Sequence, residues 1–157
     1  MPPIPLPFPP VPSARFTHSV TVPLDAAAVW DALQQPGTWE GIGPMDRVFD
    51  ARHGADGTLT AYGWNASIAG RHWSGTARTT RAEPGERMDV VLDSPEIRVT
   101  ISAALGVNGA EGTRLDVGLT AESRSMLASL FWGVIEGGIR SGLPDQVEAL
   151  AGRMAGG

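Results

Sequence analysis

The groups best suited to chemistry in this 157-residue chain are three histidines, one tyrosine and a short row of hydroxyl-bearing residues. His18, His53 and His72 lie far apart in the sequence. With no His-x-His pair, no HExxH helix and no cysteine, a metal site is not expected. No serine occupies a G-x-S-x-G elbow, so a nucleophilic triad has no support. "GVNGAEG" reads as a hairpin connection rather than a nucleotide loop, because it neither leads from a strand into a helix nor precedes an acid at the right distance. No cofactor is expected on these grounds.

Acid–base and hydrogen-bonding chemistry remains. His18 falls on the same face of "RFTHSVTV" as Phe16, Val20 and Val22, so it points toward a core or a pocket. It reads either as a structural histidine with a hydrogen-bond partner or as a pocket group, because a neutral imidazole buried alone costs about 2 kcal/mol or more. His72 opens "RHWSGTARTTRAE", whose parity is open. Either Trp73, Gly75 and Ala77 face inward, or His72, Ser74 and Thr76 form a polar row inside, with Arg78 near its end. Tyr62 and Trp64 share a face, and the tyrosine hydroxyl is suited to orienting a carbonyl or phenol. Glu136 and Arg140, four apart in acid-before-base order, read as a surface ion pair.

The elements that must position these groups follow from hydrophobic period and turn chemistry. After the first strand, Pro23 stops the ladder and Asp25 can cap a helix from Ala26, with Val29, Trp30 and Leu33 on its apolar side. Pro36-Gly37 ends that helix, and a short helical turn around Trp39 is expected. Trp30 reads as core. Trp39 is placed either to pack or to gate the mouth of a pocket. Six strands follow in "MDRVFDARH", "GTLTAYGWNASIAG", "RHWSGTARTTRAE", "RMDVVLD", "EIRVTISAAL" and "TRLDVGLTAES", the last two turning Val99, Ile101 and Val117 inward. A final helix over about 125–154 carries an apolar stripe including Phe131 and Val134. It is expected to bend or break near Gly142-Leu143-Pro144, and its glycines to leave room over the surface it covers.

Residues 1–14, "MPPIPLPFPPVPSA", form a separate proline-rich tail in which polyproline II or disorder is expected. It reads as a surface segment, with a second reading as a strap over an apolar groove, or as a ligand for a partner domain, using Ile4, Leu6 and Phe8. Residues 15–157 read as a single domain. The net charge is −5, every basic residue is arginine, and no basic block occurs, so nucleic acid is not an expected partner. No apolar run approaches a membrane span, and the chain is expected in the cytoplasm.

"SVTVPLDAAAVWDALQQPGTWEGI", the strand pair turning at Gly70, "AEPGERMDVVL", and "GTRLDVGLTAE" before a long helix resemble the START-domain and polyketide cyclase superfamily, SRPBCC. The resemblance spans about residues 15–154. It implies an α+β helix-grip fold: a seven-stranded antiparallel sheet wrapped around a long C-terminal helix, with two short helices after the first strand. It also implies a pocket for an apolar or aromatic ligand, and no common chemistry. Candidate ligand-binding residues are His18, Trp39, Tyr62, Trp64, His72, Val99, Ile101, Val117, Phe131 and Val134. The catalytic residues are unknown. Two functions stand: a carrier-like protein for a small hydrophobic or aromatic ligand, lipid or polyketide-like, and a polyketide cyclase or dehydratase working by a templating pocket. Two or more polar side chains converging in the pocket would favour the second. A protein partner or homodimer is also open. A role resembling that of the accessory proteins of carbon monoxide dehydrogenase would show as exposed Trp132 and Ile139 on the last helix.

Overall fold

The computed structural model describes residues 12–40, 42, 45–68, 70–107 and 112–156. Ile4, Leu6 and Phe8 of the tail, and most of the "VNGAEG" connection, lie outside them. Strand β1 (Ser13–Val22) begins two residues before Arg15, because Ser13 and Ala14 continue its antiparallel register opposite Glu122 and Ala121. Asp25 then caps α1 (Ala26–Leu33), its carboxylate accepting from Ala28 N at 2.8 Å. A 3-10 turn over Pro36–Trp39 follows, with proline at its start where a missing N–H costs nothing.

The remaining strands are β2 (Met45–His53), β3 (Leu59–Ile68), β4 (Arg71–Glu83), β5 (Arg87–Asp93), β6 (Ile97–Val107) and β7 (Thr113–Ser123). They form one antiparallel sheet in the order β1-β7-β6-β5-β4-β3-β2. Gly70 supplies the left-handed residue (φ 75°) that turns β3 into β4. Period-2 alternation buries one face of the sheet. Val99, Ile101, Leu115 and Leu119 are completely enclosed there.

The C-terminal helix departs from expectation. It breaks at Phe131 into α2 (Met126–Leu130) and α3 (Trp132–Gly156), and it runs unbroken through Pro144. Serine hydroxyls hold the short piece. Ser125 accepts from Ala128 N at 3.0 Å, and Ser123 and Ser129 hydroxyls meet at 2.7 Å. Past the break, Ile135, Ile139, Leu143, Val147, Leu150 and Met154 are buried at helical spacing on both sides of the proline. Each contributes about 1.5–3 kcal/mol by burial, which outweighs the ~3 kcal/mol penalty of one interior proline. That phase also turns Gly133, Gly137 and Gly138 to solvent, where an added Cβ would meet nothing. The glycines therefore do not open space over the sheet.

Helix α3 lies beside β1. The Arg140 guanidinium stands 5.7 Å from the Phe16 ring centroid, and His18 Nε2 donates to Glu148 Oε1 at 3.1 Å. Because both residue numbers rise together, α3 runs in the same sense as β1. The expected Glu136–Arg140 ion pair is present at 2.7 Å.

One clasp ties the β5–β6 hairpin to the start of α2. Asp93 accepts from Arg98 Nε at 2.9 Å and from Arg124 at 2.6 Å. The Arg98 hydrogen bond, aided by the charges of both arginines, holds the Asp93 carboxyl below the usual carboxylate range. A depressed folded-state pKa contributes stability above the unfolded value and loses it as pH falls through the folded one. Asp93→Asn is therefore expected to cost about 1 kcal/mol at pH 7, the pair being partly solvated. The deficit should shrink as pH falls through the ordinary carboxylate range toward the lowered folded-state value, which paired urea titrations at pH 7 and pH 2.5 would show.

Candidate functional site

The inward face of β3 carries Tyr62, Trp64 and Ala66, all buried. Opposite them in β4, the register pairs Tyr62 with Ala77, Trp64 with Gly75 and Ala66 with Trp73. Trp73 and Ala77 are buried, so the open parity of β4 resolves in favour of the bulky apolar row. The Trp64 indole donates to the Thr76 carbonyl at 3.0 Å. Gly75 beneath it has no Cβ to obstruct the ring.

Tyr62 differs from its neighbours. The residue is only 3% exposed, yet among the described residues its hydroxyl is the one buried side-chain polar atom without a hydrogen-bond partner. Leaving such a group unsatisfied costs about 1–3 kcal/mol. Burial pushes its pKa upward, so the phenol stays neutral and keeps its proton to donate. Around it the interior is apolar: Met88, Val90 and Leu92 of β5 and Val99 and Ile101 of β6 are closed off from water. An enclosed hydroxyl with free donor and acceptor capacity suits a ligand carbonyl, hydroxyl or phenol.

The structure distributes the candidate residues over three environments. Tyr62, Trp64, Val99, Ile101 and Val117 lie on the inner face of the sheet. Trp39 is also buried, but its indole donates to the Leu33 carbonyl at 2.9 Å, which satisfies the end of α1. Both early tryptophans are thus core residues, Trp30 included. His18 sits half-buried at the rim, engaged with Glu148. Phe131 is half-buried at the helix break, with the Arg71 guanidinium 5.6 Å from its ring centroid.

Two candidates do not face the interior. His72 is exposed on the outer side of β4 with Ser74 and Thr76, and its Nδ1 meets the Ser67 hydroxyl at 3.4 Å. Trp73 takes the inward position instead, because alternation allows only one of the two rows to be buried. Val134 is 58% exposed. The break at Phe131 resets the helix phase so that Ile135 points inward, and Val134 lies about 100° around the helix from it. Trp132 is half-buried against the core and Ile139 is 5% exposed, so the expected sign of an accessory partner role is not met.

Sequence reasoning misses Ile139 and Leu143 as inward-facing groups, leaves Trp73 open, and misses Gln34. The Gln34 side chain donates to the Trp30 carbonyl at 3.2 Å and accepts from Leu59 N at 2.9 Å, which pins α1 to β3. A lone glutamine after a helix carries no sequence signal for this. A groove of about 680 Å³ also opens between α1 and the end of α3, flanked by Ala28, Ala32, Leu150 and Met154, with Asp31 and Arg153 among its polar lining. It opens to water and holds no unsatisfied buried group, so Tyr62 marks the stronger site. Among the described residues, no three His, Asp or Glu side chains are grouped to hold a metal ion.

No family model and no curated protein matches the sequence. Solved structures do match the fold. A START superfamily protein from Mycobacterium smegmatis superposes with a TM-score of 0.64 at 13% identity, covering 90% of this chain and 94% of that one. The di-domain ARO/CYC BexL from the BE-7585A biosynthetic pathway gives 0.66 at 16% identity, over 92% of this chain and 49% of that chain. Norcoclaurine synthase from Thalictrum flavum gives 0.59 at 10% identity, over 93% and 86%. At these identities the likeness is one of fold. The chain has the helix-grip fold that these START, cyclase and synthase proteins share.

Proposed function

We propose that the interior of the sheet binds a small hydrophobic or aromatic molecule, lipid or polyketide-like, in a carrier-like role, with the Tyr62 hydroxyl as its polar anchor. The observation that carries this reading is the buried, unpartnered Tyr62 hydroxyl within an otherwise apolar enclosure. A bound molecule that hydrogen-bonds to it would account for keeping so costly a group. The shared fold supports the reading, since a START superfamily protein and an ARO/CYC protein have the same architecture.

A carrier fits better than a cyclase. Acid–base turnover needs a second polar group near the first. His18 is committed to Glu148 at the rim, and His72, Ser74 and Thr76 face outward. Binding of this kind calls on neither metal nor nucleotide. Among the described residues, no helix is long and apolar enough to cross a membrane.

Tyr62→Phe tests the anchor because its two effects have opposite signs. Removing an unsatisfied buried hydroxyl is expected to leave the empty protein as stable as before, or about 1 kcal/mol more stable. The same change is expected to weaken a carbonyl- or phenol-bearing ligand by about tenfold, or 1.4 kcal/mol. Thermal melts with and without a panel of fatty acids and aromatic polyketides would read both. A variant destabilised by more than ~1 kcal/mol, with unchanged ligand shifts, would show that the hydroxyl serves the fold instead.

A further inference from the structure

Alternation in β4 places Arg71 in the same row as Trp73 and Ala77, whose side chains are buried on the inner face of the sheet. Arg71 opens that row at the end of the β3–β4 hairpin, where it pairs with Ile68 and stays exposed. Its guanidinium reaches the helix side. It stands 5.6 Å from the ring centroid of Phe131, which packs against the core at the break between α2 and α3. A cation therefore sits where the rim of the enclosure meets water.

The protein does not neutralise this cation. Arg81, Arg87, Arg98, Arg114, Arg124 and Arg140 each meet a carboxylate. Arg71 makes no ion pair or hydrogen bond with any described residue, although acids outnumber arginines in the chain. Arg15, Arg47, Arg52 and Arg78 also lack a carboxylate partner among the described residues, but they lie on outward rows of the sheet. Arg71 alone combines an inward row with an unmatched charge.

An arginine held on an aromatic ring keeps its planar N–H fork for an acceptor, and that fork matches a carboxylate in bidentate geometry. One cation calls for one negative charge. Inward from Arg71 the row continues with Trp73, Gly75 and Ala77, opposite Ala66, Trp64 and Tyr62, so whatever is attached to the anion meets apolar surface. Tyr62 lies opposite Ala77, six residues from Arg71 along β4, or ~20 Å at strand rise. A single polar group cannot serve both.

We propose that Arg71 receives the anionic end of the ligand, a long-chain monocarboxylic acid whose carboxylate pairs with the guanidinium at the Phe131 rim and whose chain runs inward past Trp73. Resting on the interior as an apolar binding site, this leaves the charge at the water-facing end and gives the Tyr62 hydroxyl a separate group farther along the chain.

Hexadecanoic acid and its methyl ester share the chain and differ in charge at neutral pH, where a carboxylic acid is ionised. Neither carries a group for Tyr62, so the result at Arg71 is independent of that anchor. Affinities for wild type, Arg71→Gln and Arg71→Lys are measured by tryptophan fluorescence, below the concentration at which the acid aggregates. Wild type is expected to hold the acid at least ten times more tightly than the ester. Arg71→Gln should lose that preference with its ester affinity unchanged, which also shows that the variant is folded. Arg71→Lys should fall between the two, since an ammonium keeps the charge but not the fork. An undiminished acid preference in Arg71→Gln, or a wild type that binds both probes equally, would overturn the role of Arg71 and leave the apolar interior standing. Failure of wild type to bind either probe would contradict the chain-binding interior itself, and the anionic end with it.

Discussion

Replacing Gly75 with alanine is expected to cost about 3 kcal/mol of folding stability, at the upper end for overpacking in a closed core. A Cβ built there falls against the backbone carbonyl of Asp93 and 2.8 Å from Trp64 Cζ2. Neither neighbour can yield easily. The Asp93 carbonyl is main chain at the end of β5, and its carboxylate is clasped by Arg98 and Arg124. The indole is fully buried and bonded to the Thr76 carbonyl. At roughly 2–4 °C per kcal/mol for a domain of this size, the midpoint should fall by about 10 °C. Combining Gly75→Ala with Asp93→Asn should cost less than the sum of the two, because the shifted strand end has already loosened the clasp. Equilibrium denaturation of the four proteins in this cycle checks both statements. A fall of under ~1 kcal/mol for Gly75→Ala would mean that the β4–β5 contact is looser than described.

Trp64→Ala is expected to cost about 4 kcal/mol, the usual range for emptying a fully buried aromatic site. Total stability for such domains is ~5–15 kcal/mol, so the variant should fold but melt much earlier. Trp64→Phe retains most of the volume but removes the N–H that the Thr76 carbonyl accepts and leaves a small void, so a loss of about 1–2 kcal/mol is expected. Free indole added to the alanine variant should recover part of the midpoint, since an apolar cavity admits an aromatic molecule of matching size. Wild type should gain less at the same indole concentration, because its position 64 is already filled. A recovery of equal size in both would indicate a second indole site unrelated to position 64.

Much of the sheet was legible because its signals are local. Asp25, Pro23 and the Pro36-Gly37 pair bracket α1 by chemistry that depends on few neighbours. The alternation of "TRLDVGLTAES" leaves one choice of buried face. The parity of β4 was not legible, because His72-Ser74-Thr76 and Trp73-Gly75-Ala77 each make a consistent row. Only the facing Trp64 and the space above Gly75 decide between them. The terminal helix misled for a related reason. Its glycines and proline weaken helix propensity locally, yet Leu143 and Val147 bury on either side of Pro144 and hold it straight through. The resulting phase placed Val134 outside, where a stripe counted from Phe131 would have it inside, and kept Ile135 and Ile139 in.

The site was legible in part for the same physical reason. Tyr62 could be placed on an inward face from alternation, but its lack of a partner is a property of the whole enclosure. Trp39 carried the reverse ambiguity. A tryptophan after a Pro-Gly break suits a pocket mouth or a helix end equally, and the bond to Leu33 assigns it to the helix end.

Native against denaturing mass spectrometry, on wild type and Tyr62→Phe purified in parallel from the natural host, tests ligand binding at Tyr62 most directly. Wild type is expected to carry a bound mass of a few hundred daltons that is lost on denaturation. The molecule should be apolar with one carbonyl or hydroxyl, and depleted about tenfold on the variant, the loss of one hydrogen bond. Wild type that is empty from its host and gains no bound mass from fatty acids or aromatic polyketides would contradict the proposed binding, as would a ligand carried equally by both proteins.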